Sequence, residues 1–192
     1  MVKKAIQVTL SYNTIKKVTI LKLVVAVSGA SGVSLAKKFI DYLPKGIDVH
    51  LIITKHSKIV ASFEENITIH DNRDISASIA SGSFGVDVTV VIPCSMNTLA
   101  KISCGIADNL VTRVASVALK ERKTLLLAPR EMPFSVIALE NMQRLSSLGV
   151  IISPPVLGYY ADIDSLEEME RFIIGKWYDS IGIEHNLYKR WE

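Results

Sequence analysis

The chain is poor in the residues that staple or stiffen small domains, with two cysteines and six prolines in 192 residues. Cys94 and Cys104 form no C-x-x-C pair and have no metal-type partner spacing. Neither a disulfide framework nor a thiolate metal centre is therefore expected; two buried free thiols in a reducing compartment are. Long apolar runs are missing too. Leu23–Val27 and Thr124–Ala128 fall far short of the roughly 20 residues that cross a bilayer. The first twenty residues place Lys3, Lys4, Lys16 and Lys17 among Gln, Thr, Ser and Asn. They lack the apolar core and small-residue cleavage site of a secretory signal. A cytoplasmic protein with no membrane partner is expected. Charge of one sign is also scarce. A net charge of +3 does not suggest nucleic-acid binding, which needs clustered basic residues, whereas a mild cationic excess suits anionic ligands such as phosphates. His50, His56, His70 and His185 show no H-E-x-x-H or paired spacing, so no metal site is expected. Ser31 and Ser95 occupy no G-x-S-x-G elbow, which disfavours a serine hydrolase.

What is present is globular. Apolar residues make up 49% of the chain and charged ones 21%, the balance of one domain with a substantial core. From Leu21 onward, apolar strand-like runs alternate with helical patterns. The strand runs are Leu23–Val27, Val49–Ile53, Val86–Ile92 (broken at Pro93), Thr124–Ala128 (closed by Pro129) and Val150–Ile152. Helical periodicity covers the stretch containing Leu35, Phe39, Ile40 and Leu43, then Ser57–Glu64, Thr98–Ser103, Asp108–Leu119, Ser135–Leu148 and about Ser165–Ile181. Ser165 and Glu168 form a capping-box pattern. Continuous apolar strands separated by helices indicate an α/β fold: a Rossmann-like or flavodoxin-like open parallel sheet, helices on both faces, in a single domain. Residues 1–20 do not join the alternation and are read as an N-terminal extension, a hairpin or a tail, leaving residues 21–192 as the domain.

Such folds bind ligands beyond the carboxyl ends of their strands, and the unusual residues fall there. Ser28-Gly29-Ala30-Ser31-Gly32 joins the first strand to the first helix, and its small side chains let backbone N–H groups approach a phosphate. It matches neither G-x-G-x-x-G nor a Walker A loop. Pro93-Cys94-Ser95-Met96-Asn97-Thr98-Leu99-Ala100 crowds three polar side chains into a helix start where one would suffice as a cap. A polar ligand with several acceptors accounts for the excess. Arg113 and Lys120, seven apart, share one helix face. Arg130-Glu131, between Pro129 and Pro133, places a carboxyl among cations where it could act as an acid or base. Tyr159-Tyr160 and Trp177-Tyr178 read as packing residues, and Lys176 as a surface charge.

Together these stretches resemble the flavin prenyltransferase family, the UbiX/Pad type within the wider flavoprotein–decarboxylase group. The likeness runs from about Leu23 to Trp191. It rests on Gly29–Gly32, Ala80-Ser81-Gly82-Ser83-Phe84, Pro93–Ala100, Leu119-Lys120-Glu121-Arg122, Arg130-Glu131-Met132-Pro133, Glu140-Asn141-Met142 and Pro154-Pro155. The resemblance implies FMN at the strand ends, its phosphate held by Gly29, Ala30 and Ser31, with Thr54 close by. Ser95, Met96, Asn97, Thr98 and Arg130 would contact the flavin. It implies dimethylallyl phosphate as donor, bound through Lys120, Arg130, Tyr160 and Lys176 with Arg113 and Ser81 nearby, partly across a subunit interface of a homo-oligomer. Glu131 would be the acid/base, with Lys120 and Arg113 in the catalytic set. The implied reaction attaches the dimethylallyl group to N5 of reduced FMN and closes a fourth ring at C6. The product would serve a prenylated-FMN-dependent decarboxylase, and no metal would be needed.

The sequence departs from the family pattern at three places: Thr54 stands where Ser is common, Lys176 where Arg is common, and Ala161-Asp162 where a basic-proline pair is usual. Two other readings share parts of the pattern. A flavin-dependent cysteine decarboxylase would need a catalytic histidine, for which His70 is the candidate, and a Pro-x-Met-Asn segment, which is absent. An FMN-binding redox protein would have no use for Lys120, Glu131 and Tyr160.

Overall fold

The computed structural model describes residues 20–29, 32–53, 67–159 and 163–190. The expected extension up to residue 19 and the helix expected over Ser57–Glu64 lie outside them. In chain order the elements are β1 (Lys22–Val27), α1 (Val33–Asp41), β2 (Asp48–Ile53), β3 (Ile67–Asp71), β4 (Val88–Cys94), α2 (Met96–Ser103), α3 (Leu110–Lys120), β5 (Thr124–Pro129), α4 (Val136–Ser147), β6 (Ile151–Ile152) and α5 (Leu166–Ile181). Two short 3₁₀ turns, Ser78–Ala80 and Gly82–Phe84, precede β4.

All the strand pairings are parallel, in the order β3-β2-β1-β4-β5-β6. That is the dinucleotide-fold order rather than the flavodoxin one, and it reverses between β1 and β4. Successive side chains of a strand face opposite ways, and β1 shows what this does to the core. Leu23, Val25 and Val27 pack with α1 and α5, while Val24 and Ala26 pack with α2, α3 and α4. Both faces are covered, which is why the strands are continuous apolar runs. On the α5 side the Phe39 ring meets Tyr178 edge-on at 4.8 Å, and the Trp177 Nε1–H donates to the Ser153 carbonyl at 3.0 Å.

Apart from α1, which starts at Gly32, the helices start on side-chain caps. The Ser95, Ser135 and Ser165 hydroxyls accept from backbone N–H groups three residues on, and Asn109 forms a reciprocal box with Thr112. The box expected at Ser165 is modified, because Glu168 accepts from the Asp164 N–H rather than from that of Ser165.

The structure corrects several expectations. A sixth strand, β3, joins the five expected. Among the described residues it pairs only with β2, at an edge of the sheet, and Ile67-Thr68-Ile69-His70-Asp71 carries polar and exposed positions instead of an apolar run. Pro93 does not end its strand, which runs on to Cys94, whereas β5 closes at Pro129 as expected. Cys94 pairs with Pro129 beyond a register shift after Val91, and such an irregularity accommodates a residue without an N–H. Cys104 is exposed, and only Cys94 is buried. Trp177 and Tyr178 are packing residues as expected, whereas Tyr159 is 86% exposed.

The β2–β3 edge holds a polar pair, buried His50 and half-buried His70, with His50 Nδ1 and His70 Nε2 3.0 Å apart. Burial, and then His50, hold His70 below its ordinary value of 6.5, against the opposing pull of Asp74. Between that lowered value and 6.5 the unfolded chain binds more protons than the folded one. The stabilisation is therefore complete above pH 6.5 and is lost as pH falls through the folded value. The depressed carboxyls of Asp87, Asp108 and Asp179 act in a separate window, at and below 3.8. We expect the urea midpoint to fall between pH 7 and 5 in the wild type and to fall less steeply in His70→Gln. Parallel slopes would show that His70 does not contribute.

Candidate active site

The reversal of strand order opens a crevice between the carboxyl ends of β1 and β4, and the sequence supplies small and polar residues to both walls. The walls are tied together by Ser28. Its backbone N–H and its hydroxyl donate to the Pro93 carbonyl at 3.1 and 3.3 Å, and the hydroxyl accepts from the Ser95 N–H at 3.0 Å. Gly29 and Gly32 hold φ angles of +111° and +92°, which side chains with a Cβ rarely adopt. A Cβ on Gly32 would also lie 3.5 Å from Pro93 and 3.9 Å from Cδ of Arg130. The loops after β1, β4 and β5 thus converge on one place.

Gly32 is the N-cap of α1 and Ser95 that of α2, and neither helix has an acidic residue in its first turn. Two positive helix ends therefore face the crevice with no carboxylate in their own first turns, a setting for an anion. Of the three polar residues that open α2, two are spent on each other. Ser95 Oγ accepts from the Thr98 N–H at 3.2 Å and donates to Thr98 Oγ1 at 3.0 Å. Asn97 is exposed and makes no side-chain hydrogen bond among the described residues. Met96 is half-buried beside it. Burial pushes the Cys94 thiol up to about 12, so it is not a nucleophile at neutral pH.

Arg130 and Glu131 follow β5 and are exposed. Glu131 accepts the Met132 N–H at 3.2 Å through Oε1, which leaves its second oxygen open. Lys176 lies on α5, in a cleft of about 290 Å³ lined also by Ser153, Pro154, Gly158 and Phe172. The carboxyl edge of the sheet therefore holds Gly29, Ser95–Thr98, Arg130, Glu131 and Lys176. Ala30, Ser31, Thr54 and Tyr160 lie outside the described residues.

The remaining expected residues gather elsewhere. Lys120 ends α3 just before the amino end of β5, and a Cβ on Gly82 would lie 3.0 Å from its Nζ. Arg113, on the same helix face, donates from Nε to the Ala80 carbonyl at 3.2 Å. Ser81 stands next to both contacts. Six-residue β5 separates Lys120 from Arg130, a length on the order of 20 Å. One chain does not bring these two cations to one phosphate. Three residues stood in the quoted stretches without a role of their own: Ser28, which ties the walls, Ser83, which meets Ser81, and Glu121, which pairs with Lys120. Their contacts, and not their local sequence, give them one.

Among the described residues no helix is long and apolar enough to cross a membrane, and no group of three or more His, Cys, Asp or Glu could hold a metal ion.

A doubly wound parallel sheet with a glycine-lined anion crevice at its switch point defines a nucleotide-binding α/β protein. The model of the Flavoprotein family matches residues 11–177. The flavin prenyltransferase UbiX of Helicobacter pylori is 47% identical over 184 residues, covering 89% of this chain and 98% of that protein. The chain belongs to the Flavoprotein family and, within it, to the flavin prenyltransferases. Among solved structures, a dodecameric FMN-dependent UbiX-like decarboxylase from Escherichia coli O157:H7 superposes with a TM-score of 0.82 at 38% identity, covering 90% of this chain and all of that one. AnUbiX (PadA1), in complex with FMN and dimethylallyl pyrophosphate, superposes with a TM-score of 0.83 at 34% identity, covering 91% of this chain and 98% of that one.

Proposed function

We propose that the protein transfers the dimethylallyl group of dimethylallyl phosphate to reduced FMN, giving prenylated FMN for a separate decarboxylase. The observation that carries the reading is the convergence of three loops on the crevice: the glycine turn, the α2 start and the Arg130-Glu131 pair. The residues present fit FMN. Positive φ at Gly29 and Gly32 turns backbone toward a phosphate, the two helix ends favour its charge, and Asn97 offers an uncommitted amide to a heteroaromatic edge. When bound, reduced FMN supplies the nucleophilic nitrogen that receives the allylic group.

The chain's residues do the rest. Breaking an allylic C–O bond leaves phosphate, so cations and a proton donor must stabilise that departing charge. Arg130, with Lys176 at the same edge, holds the phosphate on this side, and Tyr160 belongs to the same set. Glu131 donates the proton. Ser81, Arg113 and Lys120 hold the phosphate from the other side, and the length of β5 requires that they come from a neighbouring copy. Exposed Met132, Val136, Ile137 and Leu139 give such a copy an apolar face to cover. The cytoplasm is the proposed location, in keeping with free Cys94 and Cys104. The cysteine-decarboxylase alternative loses its histidine, since His70 is engaged with His50.

The direct experiment is mass spectrometry of the flavin after incubating protein, reduced FMN and dimethylallyl phosphate. A gain of one dimethylallyl unit supports the reading, and unchanged flavin refutes it. For the placement of ligands, Asn97→Leu should weaken FMN binding by about 1–3 kcal/mol, and Lys120→Ala should leave it nearly intact. Equal FMN affinities in both variants would show that the α2 start does not meet the flavin.

A further inference from the structure

The amino edge of the sheet carries a carboxylate that the proposed reaction leaves unassigned. Glu121 follows Lys120 at the end of α3, and its Oε1 accepts a hydrogen bond from Lys120 Nζ. The pair is lodged against the turn before β4. A Cβ on Gly82 would collide with Glu121 Oε1 and stand 3.0 Å from Lys120 Nζ, so a bare Cα admits both groups. On either side of Gly82, the Ser81 and Ser83 hydroxyls are 2.9 Å apart. Arg113 uses Nε on the Ala80 carbonyl, and its two terminal nitrogens have no acceptor among the described residues.

Two hydroxyls, an ammonium and a guanidinium are donors suited to a phosphoryl group. Glu121 stands among them with the opposite sign. It cancels one of the two cationic charges, leaving a net +1 at this wall of the site. A phosphate monoester carries roughly −1.5 to −2 at neutral pH, and a diphosphate ester carries more. Each added negative charge meets repulsion from the carboxylate, and Lys120 cannot turn fully to the ligand without leaving Glu121. Lys120 and Glu121 are 55% and 40% exposed. Water screens the effect, and a change of about tenfold is the scale to expect for one charge at such a site.

We propose that Glu121 is a specificity-determining residue: by pairing with Lys120 against the Ser81–Ser83 turn, it favours an allylic monophosphate over an allylic diphosphate. The inference rests on the reading that this wall meets the donor phosphate.

The test uses the assembled full-length enzyme with FMN: wild type, Glu121→Gln, Glu121→Ala as a second charge-removing variant, and Glu121→Asp as a charge-retaining one. KM is measured for dimethylallyl phosphate and dimethylallyl diphosphate, and inorganic phosphate and pyrophosphate are titrated calorimetrically into the same proteins. Loss of the charge should lower KM for the diphosphate about tenfold more than for the monophosphate, and should strengthen pyrophosphate binding over phosphate binding. Glu121→Asp should keep the wild-type ratio. An unchanged ratio in the charge-removing variants overturns the proposal. So does a common rise of both KM values in all three variants, which would make Glu121 a mere support for Lys120. If the wild type transfers from neither donor while the charge-removing variants still gain for pyrophosphate over phosphate, the functional reading falls and the role of Glu121 stands.

Discussion

Glu131→Gln should lower the rate of dimethylallyl transfer by about 10²–10⁴-fold while FMN binding stays near the wild-type value. The substitution keeps the size of the side chain and its ability to accept the Met132 N–H, and removes only the proton that can be exchanged. Its expected effect follows from the place of Glu131 next to Arg130, where a departing phosphate collects charge. On the proposed mechanism the carboxyl gives its proton as the C–O bond breaks and takes one back as the transfer completes. A salt-bridge role would give another signature, with a lower melting temperature and turnover per folded molecule nearly unchanged. Measuring turnover, FMN affinity and melting temperature on this variant separates the two, and intact turnover would sink the catalytic assignment.

The second large effect concerns the two ends of β5. Lys120→Ala and Arg130→Ala should each depress transfer by about 10²–10³-fold, the usual cost of removing one group that stabilises developing charge. Co-assembled in equal amounts, they should recover activity. A site that takes Lys120 from one copy and Arg130 from another is intact when each defect falls on the other chain, which random mixing gives in about a quarter of sites. Co-expression with two different affinity tags, followed by tandem purification and assay, measures this. No recovery in the mixed assembly, together with a wild type that is monomeric by light scattering and active, would show that one chain builds the whole site.

Much of the architecture could be read from the chain because its central strands are buried on both faces. Leu23–Val27, Val49–Ile53 and Thr124–Ala128 stand out as uninterrupted apolar runs, and the helices between them as amphipathic spacers. The edge strand β3 was not legible for the converse reason. With one neighbour among the described strands and exposed positions along it, Thr68, His70 and Asp71 are tolerated there, and the pattern looks like a loop. Pro93 misled at a boundary because a lone proline signals an end, whereas a local register shift let the strand continue. The candidate residues stood out one by one, since glycines, amides and charges at strand ends have few structural reasons to be there. How they are grouped is seen only in the fold: Lys120 and Arg130 are near neighbours in sequence, and β5 holds them at opposite edges of the sheet. Ser28 bonding to Ser95, 67 residues away, leaves no trace in any local window.

That bond from Ser28 to Ser95 has a bearing on how the cradle can change over time. A buried hydroxyl that serves as donor on one side and acceptor on the other joins two of the three loops into one rigid jaw. Neither loop can shift without unseating its partner, so mutations on this jaw are penalised in pairs. The third loop, from Arg130 to Ser135, has no such tie across the crevice among the described residues. On the proposed function, adjustment to a new donor, whether by evolution or in the laboratory, therefore has its freest ground in that loop, while the other two stay fixed against each other.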